Sequence, residues 1–158
     1  MSIFENLHAL CVSKEISVAV AESCTAGLVA SQLTLKSGSS AFFKGGVIAY
    51  QNAIKIKILG VDEQAILQYT EVSAEVAKQM AVGVRRSFLV DYSIATSGYA
   101  GPSGGTNNNP IGTVFIAISS DNRVDVERFI FSGNREDIVK QASEQSLSLL
   151  YNAIKKEQ

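Results

Sequence analysis

An apolar run at residues 16–20 leads directly into the segment Ala21-Glu22-Ser23-Cys24-Thr25-Ala26-Gly27. A short apolar run of this kind predicts a buried strand, and the small residues after it predict a turn into a helix. Ser23 then lies on a strand-to-helix turn, where a hydroxyl can project above a sheet and backbone N–H groups point toward a bound group. Ser23 can equally be an ordinary helix N-cap, since serine is favoured there for structural reasons. Both interpretations require a strand followed by a helix at residues 16–35.

The rest of the chain continues this alternation of strands and helices up to residue 97. The pattern predicts helices at 3–13, 25–35, 52–59, 62–69, 73–88 and 135–155, and strands at 16–22, 42–50, 91–97, 111–119 and 123–131. Gly45 and Gly46 predict a bulge or a close backbone approach, and the glycine-rich segment 98–110 predicts a functional loop. The order of elements predicts one α/β domain over residues 1–158. Its three α/β/α layers contain a mixed, mostly parallel sheet that ends in an antiparallel edge hairpin.

Composition excludes several classes of function. A net charge of −1 and a pI near 5.8 provide no basic field for nucleic acid or an anionic membrane. Two cysteines have neither the number nor the spacing of a disulfide framework or a zinc site, and no apolar run approaches a membrane span. No export signal is visible. We therefore expect a cytoplasmic protein that acts on a small molecule without a metal or cofactor.

The scarcity of histidine disfavours catalytic mechanisms in which a histidine is the base. The sole histidine, His8, belongs to the predicted N-terminal helix, so a serine or cysteine nucleophile lacks its usual base. Cys24 is interpreted as a small buried residue. The remaining option is a serine activated by a lysine, with Lys55 as a candidate and Lys57 as an equal competitor. A lysine acts as a base only when neutral, so burial has to lower its pKa by two or three units from about 10.4.

Five blocks along residues 20–140 resemble the C-terminal domain family of the competence-damage protein CinA. The family signature Ala-Glu-Ser-Cys-Thr-Gly-Gly is similar to residues 21–27. The other matching blocks are Gly38-Ser39-Ser40 with Phe43, Gly46, Tyr50-Gln51-Asn52, Lys55 and Leu59-Gly60-Val61; Val72-Ser73-Ala74-Glu75-Val76-Ala77 with Met80-Ala81; Ser97-Gly98-Tyr99-Ala100-Gly101-Pro102 with Gly104-Gly105 and Pro110-Ile111-Gly112-Thr113-Val114; and Gly133-Asn134-Arg135.

This resemblance implies a nicotinamide-nucleotide amidase, which hydrolyses the carboxamide of nicotinamide mononucleotide to nicotinate mononucleotide and ammonia in pyridine-nucleotide salvage. Matched residue by residue, Ser23 would be the nucleophile that forms an acyl-enzyme, Lys55 its general base and Tyr50 an assisting group. The substrate-binding residues implied are Thr25, Ala26 and Gly27 as oxyanion donors, Ser39, Ser40 and Arg135 for the phosphate, and Ser97 and Gly98 at the glycine loop.

Three positions depart from the family pattern. Ala26 replaces a glycine, Ser97 replaces a threonine and Tyr99 replaces an isoleucine. These changes leave the catalytic groups in place and concern the substrate. Two alternatives therefore stay open: a catalytically degenerate nucleotide-binding or regulatory domain, and an amidase for another small carboxamide. We expect a stand-alone domain that forms a homo-oligomer, with a dimer as the first expectation.

Overall fold

The computed structural model describes residues 1–157, which contain five strands and six α-helices. The strands are Val18–Glu22 (β1), Phe43–Ile48 (β2), Tyr92–Gly98 (β3), Thr113–Ser119 (β4) and Val124–Ile130 (β5). The helices are Ile3–Ser13 (α1), Leu28–Leu33 (α2), Asn52–Leu59 (α3), Glu63–Tyr69 (α4), Ala74–Phe88 (α5) and Arg135–Glu157 (α6), with a 3-10 turn at Ser39–Ala41. None of these helices is long and apolar enough to cross a bilayer.

One mixed sheet holds all five strands in the order β2-β1-β3-β4-β5. The pairs β1–β2 and β1–β3 are parallel, whereas β3–β4 and β4–β5 are antiparallel. Four of the five strands therefore run in the same direction, and β4 alone runs against them. The predicted mixed sheet with an antiparallel hairpin at its edge is confirmed.

Helices cover both faces of the sheet, which confirms the predicted three layers. Helices α1, α2 and α6 pack on one face, and α3, α4 and α5 pack on the other. Strand alternation turns Val18 and Val20 toward the first face and Ala19 and Ala21 toward the second. Small alanine side chains let α5 lie close to the sheet.

Strand β2 carries the predicted bulge. Its register with β1 skips one residue between Phe43 and Gly45. A Cβ atom at Gly46 would overlap the carbonyl oxygen of Val20, so the two backbones approach as closely as only glycine allows.

The parallel strands β1, β2 and β3 end at the same edge of the sheet. The connection from β1 to β2 runs through α2 on one face, and the connection from β2 to β3 runs through α3, α4 and α5 on the other. Connections that leave to opposite faces open a crevice at the carboxyl ends of the strands, where ligands of such sheets bind. Ser23, Tyr50 and Ser97 all lie at this edge.

Helix α2 is shorter than predicted. It begins at Leu28 instead of residue 25, because Ala26 and Gly27 have left-handed φ angles of 45° and 99°. A right-handed helix cannot pass through residues in that conformation. Residues 24–27 therefore form a turn between β1 and α2.

Candidate active site

A cleft of about 370 Å³ lies at the carboxyl ends of the parallel strands. It is lined by Ser23, Cys24, Tyr50, Gln51, Asn52, Lys55, Glu71, Val72, Ser97, Gly98, Tyr99, Ala100, Ser103 and Arg135. A larger cavity of about 580 Å³ lies beside α1 and α6, but no lysine, arginine or histidine lines it. The cleft at the strand ends thus combines a hydroxyl with basic groups, and we take it as the candidate active site.

The backbone of Ser23 is held by both neighbouring strands. Its N–H donates to the carbonyl oxygen of Thr96 at 3.1 Å. The N–H of Ala49 donates to the carbonyl oxygen of Glu22, the preceding residue, at 2.8 Å. The sheet therefore continues up to Ser23 and fixes the position from which its hydroxyl enters the cleft.

Glu22 anchors the turn that follows the serine. Its side chain is fully buried, and its Oε1 accepts hydrogen bonds from Thr25 Oγ1 at 2.6 Å and from the N–H of Val29 at 2.9 Å. Its Oε2 accepts from the N–H of Ala30 at 2.9 Å. A carboxylate at a helix N-terminus satisfies N–H groups that have no partner in the helix itself. Sequence reasoning gave Glu22 no role, although an acidic residue at the end of a buried strand and before a helix is the signal for one.

Lys55 is the lysine that lies against Ser23. Its side chain is only 1% exposed, and its Nζ lies 3.2 Å from Ser23 Oγ and donates to the carbonyl oxygen of Ala49 at 2.9 Å. Burial lowers the pKa of Lys55, while the charge of Glu71 acts in the opposite direction. The competing Lys57 points to solvent. The structure thus selects Lys55, which the sequence pattern alone did not.

Tyr50 and Arg135 form a pair at the rim of the cleft. Arg135 donates from Nη2 to Tyr50 Oη at 2.8 Å and from Nη1 to the carbonyl oxygen of Gly101 at 2.7 Å. Over the described part of the chain, Tyr50 has no hydrogen bond with Lys55. The structure therefore brings both predicted residues to the cleft but joins Tyr50 to the arginine, so that direct assistance to Lys55 remains a prediction.

The turn residues 24–27 contribute backbone groups rather than side chains. Thr25 is buried, and its hydroxyl is occupied by Glu22 and by Thr96 Oγ1, 2.8 Å away. The N–H of Ala26 donates to the carbonyl oxygen of Ser23 at 3.1 Å, so Ala26 does not offer the free donor that was predicted. The N–H groups of Thr25 and Gly27 make no hydrogen bond within residues 1–157. Such free N–H groups beside the serine suit a developing negative charge on oxygen.

Relief of backbone strain at Ala26 gives a prediction. An alanine held at a left-handed φ of 45° loses about 1–2 kcal/mol of stability. Glycine avoids this strain, but its greater freedom in the unfolded chain cancels part of the gain. We expect Ala26→Gly to raise the free energy of unfolding by up to about 1 kcal/mol in urea titrations. Ala30→Gly, inside α2, is the matched control and lowers it. A loss of stability in Ala26→Gly contradicts the strain argument.

The structure does not bring Ser39 and Ser40 to the cleft. They precede β2, at the amino end of the strand, whereas the cleft lies at its carboxyl end. Ser39 is buried, and its hydroxyl donates to the carbonyl oxygen of Lys36 at 2.7 Å. The expectation that Ser39 and Ser40 join Arg135 at a phosphate site is therefore wrong for this chain, because they lie at the opposite end of β2 from the cleft.

Ser97 and Gly98 lie at the cleft with structural contacts of their own. Ser97 is 1% exposed, and its hydroxyl donates to the carbonyl oxygen of Glu71 at 2.6 Å rather than to Lys55. A Cβ at Gly98 would lie 2.5 Å from the carbonyl oxygen of Thr113, so glycine is needed for close strand packing. Glu71 itself was not identified from the sequence, and it is the sole carboxylate that lines the cleft.

Cys24 is next to Ser23 but is chemically quiet. Burial raises the pKa of its thiol to about 12. A thiol with that pKa is protonated near neutrality and is a poor nucleophile. The predicted role of Cys24 as a buried small residue is confirmed, and Ser23 remains the candidate nucleophile of this cleft.

Known proteins are similar to this chain in sequence along nearly its whole length. The model of the CinA C-terminal domain family matches residues 1–154. CinA-like proteins of Flavobacterium psychrophilum and Leptospira interrogans are each 40% identical over 150 and 157 residues, covering 95% and 99% of this chain. The chain spans only 36% and 38% of the length of these relatives.

Solved structures give the same result. The competence damage-inducible protein A of Klebsiella pneumoniae has a TM-score of 0.95 and 28% identity, with 99% of this chain and 97% of that chain covered. A competence or damage-inducible protein of Enterobacter asburiae has a TM-score of 0.92 and 31% identity, with 96% of each chain covered. The chain therefore belongs to the CinA C-terminal domain family.

Proposed function

We propose that this chain hydrolyses the carboxamide of nicotinamide mononucleotide to nicotinate mononucleotide and ammonia. The observation that carries the proposal is the 3.2 Å separation of Lys55 Nζ from Ser23 Oγ in a site that buries the lysine. A buried lysine beside a serine is an arrangement that activates the hydroxyl as a nucleophile. We infer the substrate from the family resemblance and the reaction type from the contact between Ser23 and Lys55.

The first half of the reaction forms an ester with the serine. Neutral Lys55 takes the proton of Ser23 while Oγ attacks the carboxamide carbon, which becomes tetrahedral. The free N–H groups of the turn at residues 24–27 stabilise the negative oxygen. Lys55, now an ammonium, returns the proton to the amide nitrogen, the C–N bond breaks and ammonia leaves.

The second half reverses the roles with water. Lys55 takes a proton from a water molecule, and the hydroxide attacks the ester carbon. Ser23 leaves as the ester C–O bond breaks, and Lys55 returns its proton to Oγ. The carboxylic acid so formed releases its own proton to solvent, and the product is the carboxylate. Arg135 carries a guanidinium charge at the rim, where it suits a nucleotide phosphate.

Ammonia release from nicotinamide mononucleotide by the purified protein tests the proposal. Turnover that Ser23→Ala abolishes is the expected result. Full activity in Ser23→Ala contradicts the mechanism. Tight binding of the nucleotide without turnover at high pH indicates a degenerate binding domain, and turnover of other small carboxamides alone indicates a different amidase.

The pH profile of kcat/KM gives a further prediction. Since burial lowers the pKa of Lys55 from its ordinary 10.5, the neutral lysine forms at lower pH than for a surface lysine. We expect kcat/KM to rise tenfold per pH unit until the pH reaches the pKa of Lys55, which is lower than 10.5, and then to level off. Steady-state assays between about pH 6 and 10 measure it, with Lys57→Met as the control that keeps the profile. A profile with no rising limb in this range rules out a lysine base.

A further inference from the structure

The cleft contains a carboxylate that the proposed reaction does not use. Glu71 is half-buried in the lining, and its side chain makes no hydrogen bond or ion pair in the described part of the chain. The other charged side chains of the lining, Lys55 and Arg135, are both basic. Two basic groups and one unpaired acid therefore face the same space of about 370 Å³.

The backbone holds Glu71 at this place. Its carbonyl oxygen accepts the hydroxyl of Ser97 at 2.6 Å, and the preceding Thr70 has a left-handed φ of 68°. Positive φ is unfavourable for a β-branched residue, so the segment is kept in this shape by its neighbours. Asn109 adds a contact from Nδ2 to the carbonyl oxygen of Val72 at 3.4 Å. Two hydrogen bonds to the backbone of residues 71 and 72 thus hold the segment that carries Glu71 at the cleft.

A free carboxylate here opposes the general base. Glu71 raises the pKa of Lys55 against the effect of burial. The other titratable groups of the lining are Cys24, Tyr50, Tyr99 and Arg135. Without a partner, Glu71 stabilises the ammonium form of the lysine and reduces the fraction of active base. A positive charge on the substrate beside Glu71 would cancel this effect.

We propose that Glu71 is the specificity-determining residue by which this cleft selects a carboxamide carried on a cationic ring. The inference rests on the proposed function, whose substrate has a pyridinium ring. Glu71 would lie beside the cationic ring, and Arg135 would bind the phosphate. The cleft is then complementary to a zwitterion. A neutral ring leaves Glu71 buried against an apolar surface without a partner, which weakens its binding.

Two ligands of nearly the same shape test this selection. Nicotinamide mononucleotide has a cationic ring, and the C-nucleotide of benzamide has a neutral phenyl ring with the same carboxamide, ribose and phosphate. In Ser23→Ala, which prevents turnover, we expect calorimetry to give a Kd about five- to tenfold lower for the cationic ligand. In Ser23→Ala/Glu71→Gln the two Kd values become equal, through weaker binding of the cationic ligand.

Control variants separate ring charge from other effects. Glu75→Gln removes an exposed acid outside the cleft and keeps the discrimination. Glu71→Asp keeps the charge and retains a preference for the cationic ligand. This variant still tests the inference if the glutamine variant does not fold. Equal Kd values in Ser23→Ala, or discrimination that survives Glu71→Gln, overturns the inference. Because these measurements need no hydrolysis, a wild-type protein that releases no ammonia contradicts the proposed function alone.

Discussion

Replacement of Lys55 by methionine is expected to lower kcat for the carboxamide by on the order of 10⁴-fold, because Ser23 then has no base. The lysine Nζ is 3.2 Å from the serine Oγ, and no histidine lines the cleft to replace it. Methionine has a similar length and suits the buried site, so the fold should be retained. Ammonia release under saturating substrate measures the change.

Three comparisons make this result specific. Lys57→Met changes an exposed lysine of the same helix and should leave kcat unchanged. Ser23→Ala should cost about as much as Lys55→Met, and the double variant no more than either, because the two side chains act as one unit. A Lys55→Met protein with the kcat of wild type would remove the lysine from the mechanism.

The same variant has an expected effect on stability. The pKa of Lys55 is lowered on folding, so the unfolded chain binds more protons between this lowered pKa and the ordinary 10.5. The contribution of Lys55 to the free energy of unfolding therefore increases with pH across that window and is constant below it. Lys55→Met lacks this rise. Urea titrations at several pH values compare the two proteins.

Replacement of Glu22 by alanine is expected to lower the free energy of unfolding by about 3–5 kcal/mol. The buried carboxylate accepts three hydrogen bonds, and its loss leaves the N–H groups of Val29 and Ala30 without a partner. The turn that carries Ser23 loosens as well, so kcat should fall together with stability. Urea unfolding monitored by circular dichroism, at constant m, measures the change.

Matched variants test whether the carboxylate itself is responsible. Glu22→Gln keeps the volume and one acceptor oxygen but turns an amide NH₂ toward the remaining donor, so its loss should be intermediate. Glu144→Ala removes an exposed glutamate from α6 and should change stability by less than about 0.5 kcal/mol. Wild-type stability in Glu22→Ala would show that the turn is held by other contacts.

Local patterns were sufficient for most of the fold. The strand at residues 91–97, the helix that Ser73 caps and the bulge near Gly45 all follow from period, capping and glycine placement, and all are present. The helix start at residue 25 was wrong by three positions. Small residues favour a helix there, but the left-handed φ values of Ala26 and Gly27 depend on how the turn meets its neighbours.

The candidate site was predictable in part. Elimination of histidine pointed to a serine with a lysine, and the motif supplied Ser23. Position in the sequence did not separate Lys55 from Lys57, because a helix places them on different faces and the fold decides which face is buried. It also did not show which edge of the sheet each strand end would reach, nor that Glu71 reaches the cleft.

By itself the sequence determined the order of strands and helices, the three layers and the types of chemical group that the chain can use. These depend on local periodicity and on which residue types are present. Only the tertiary structure decided that Lys55 lies against Ser23, 32 residues away, and that a buried Glu22 holds the turn between strand and helix. Such contacts arise when separate segments meet across the sheet, and burial of the lysine then lowers its pKa.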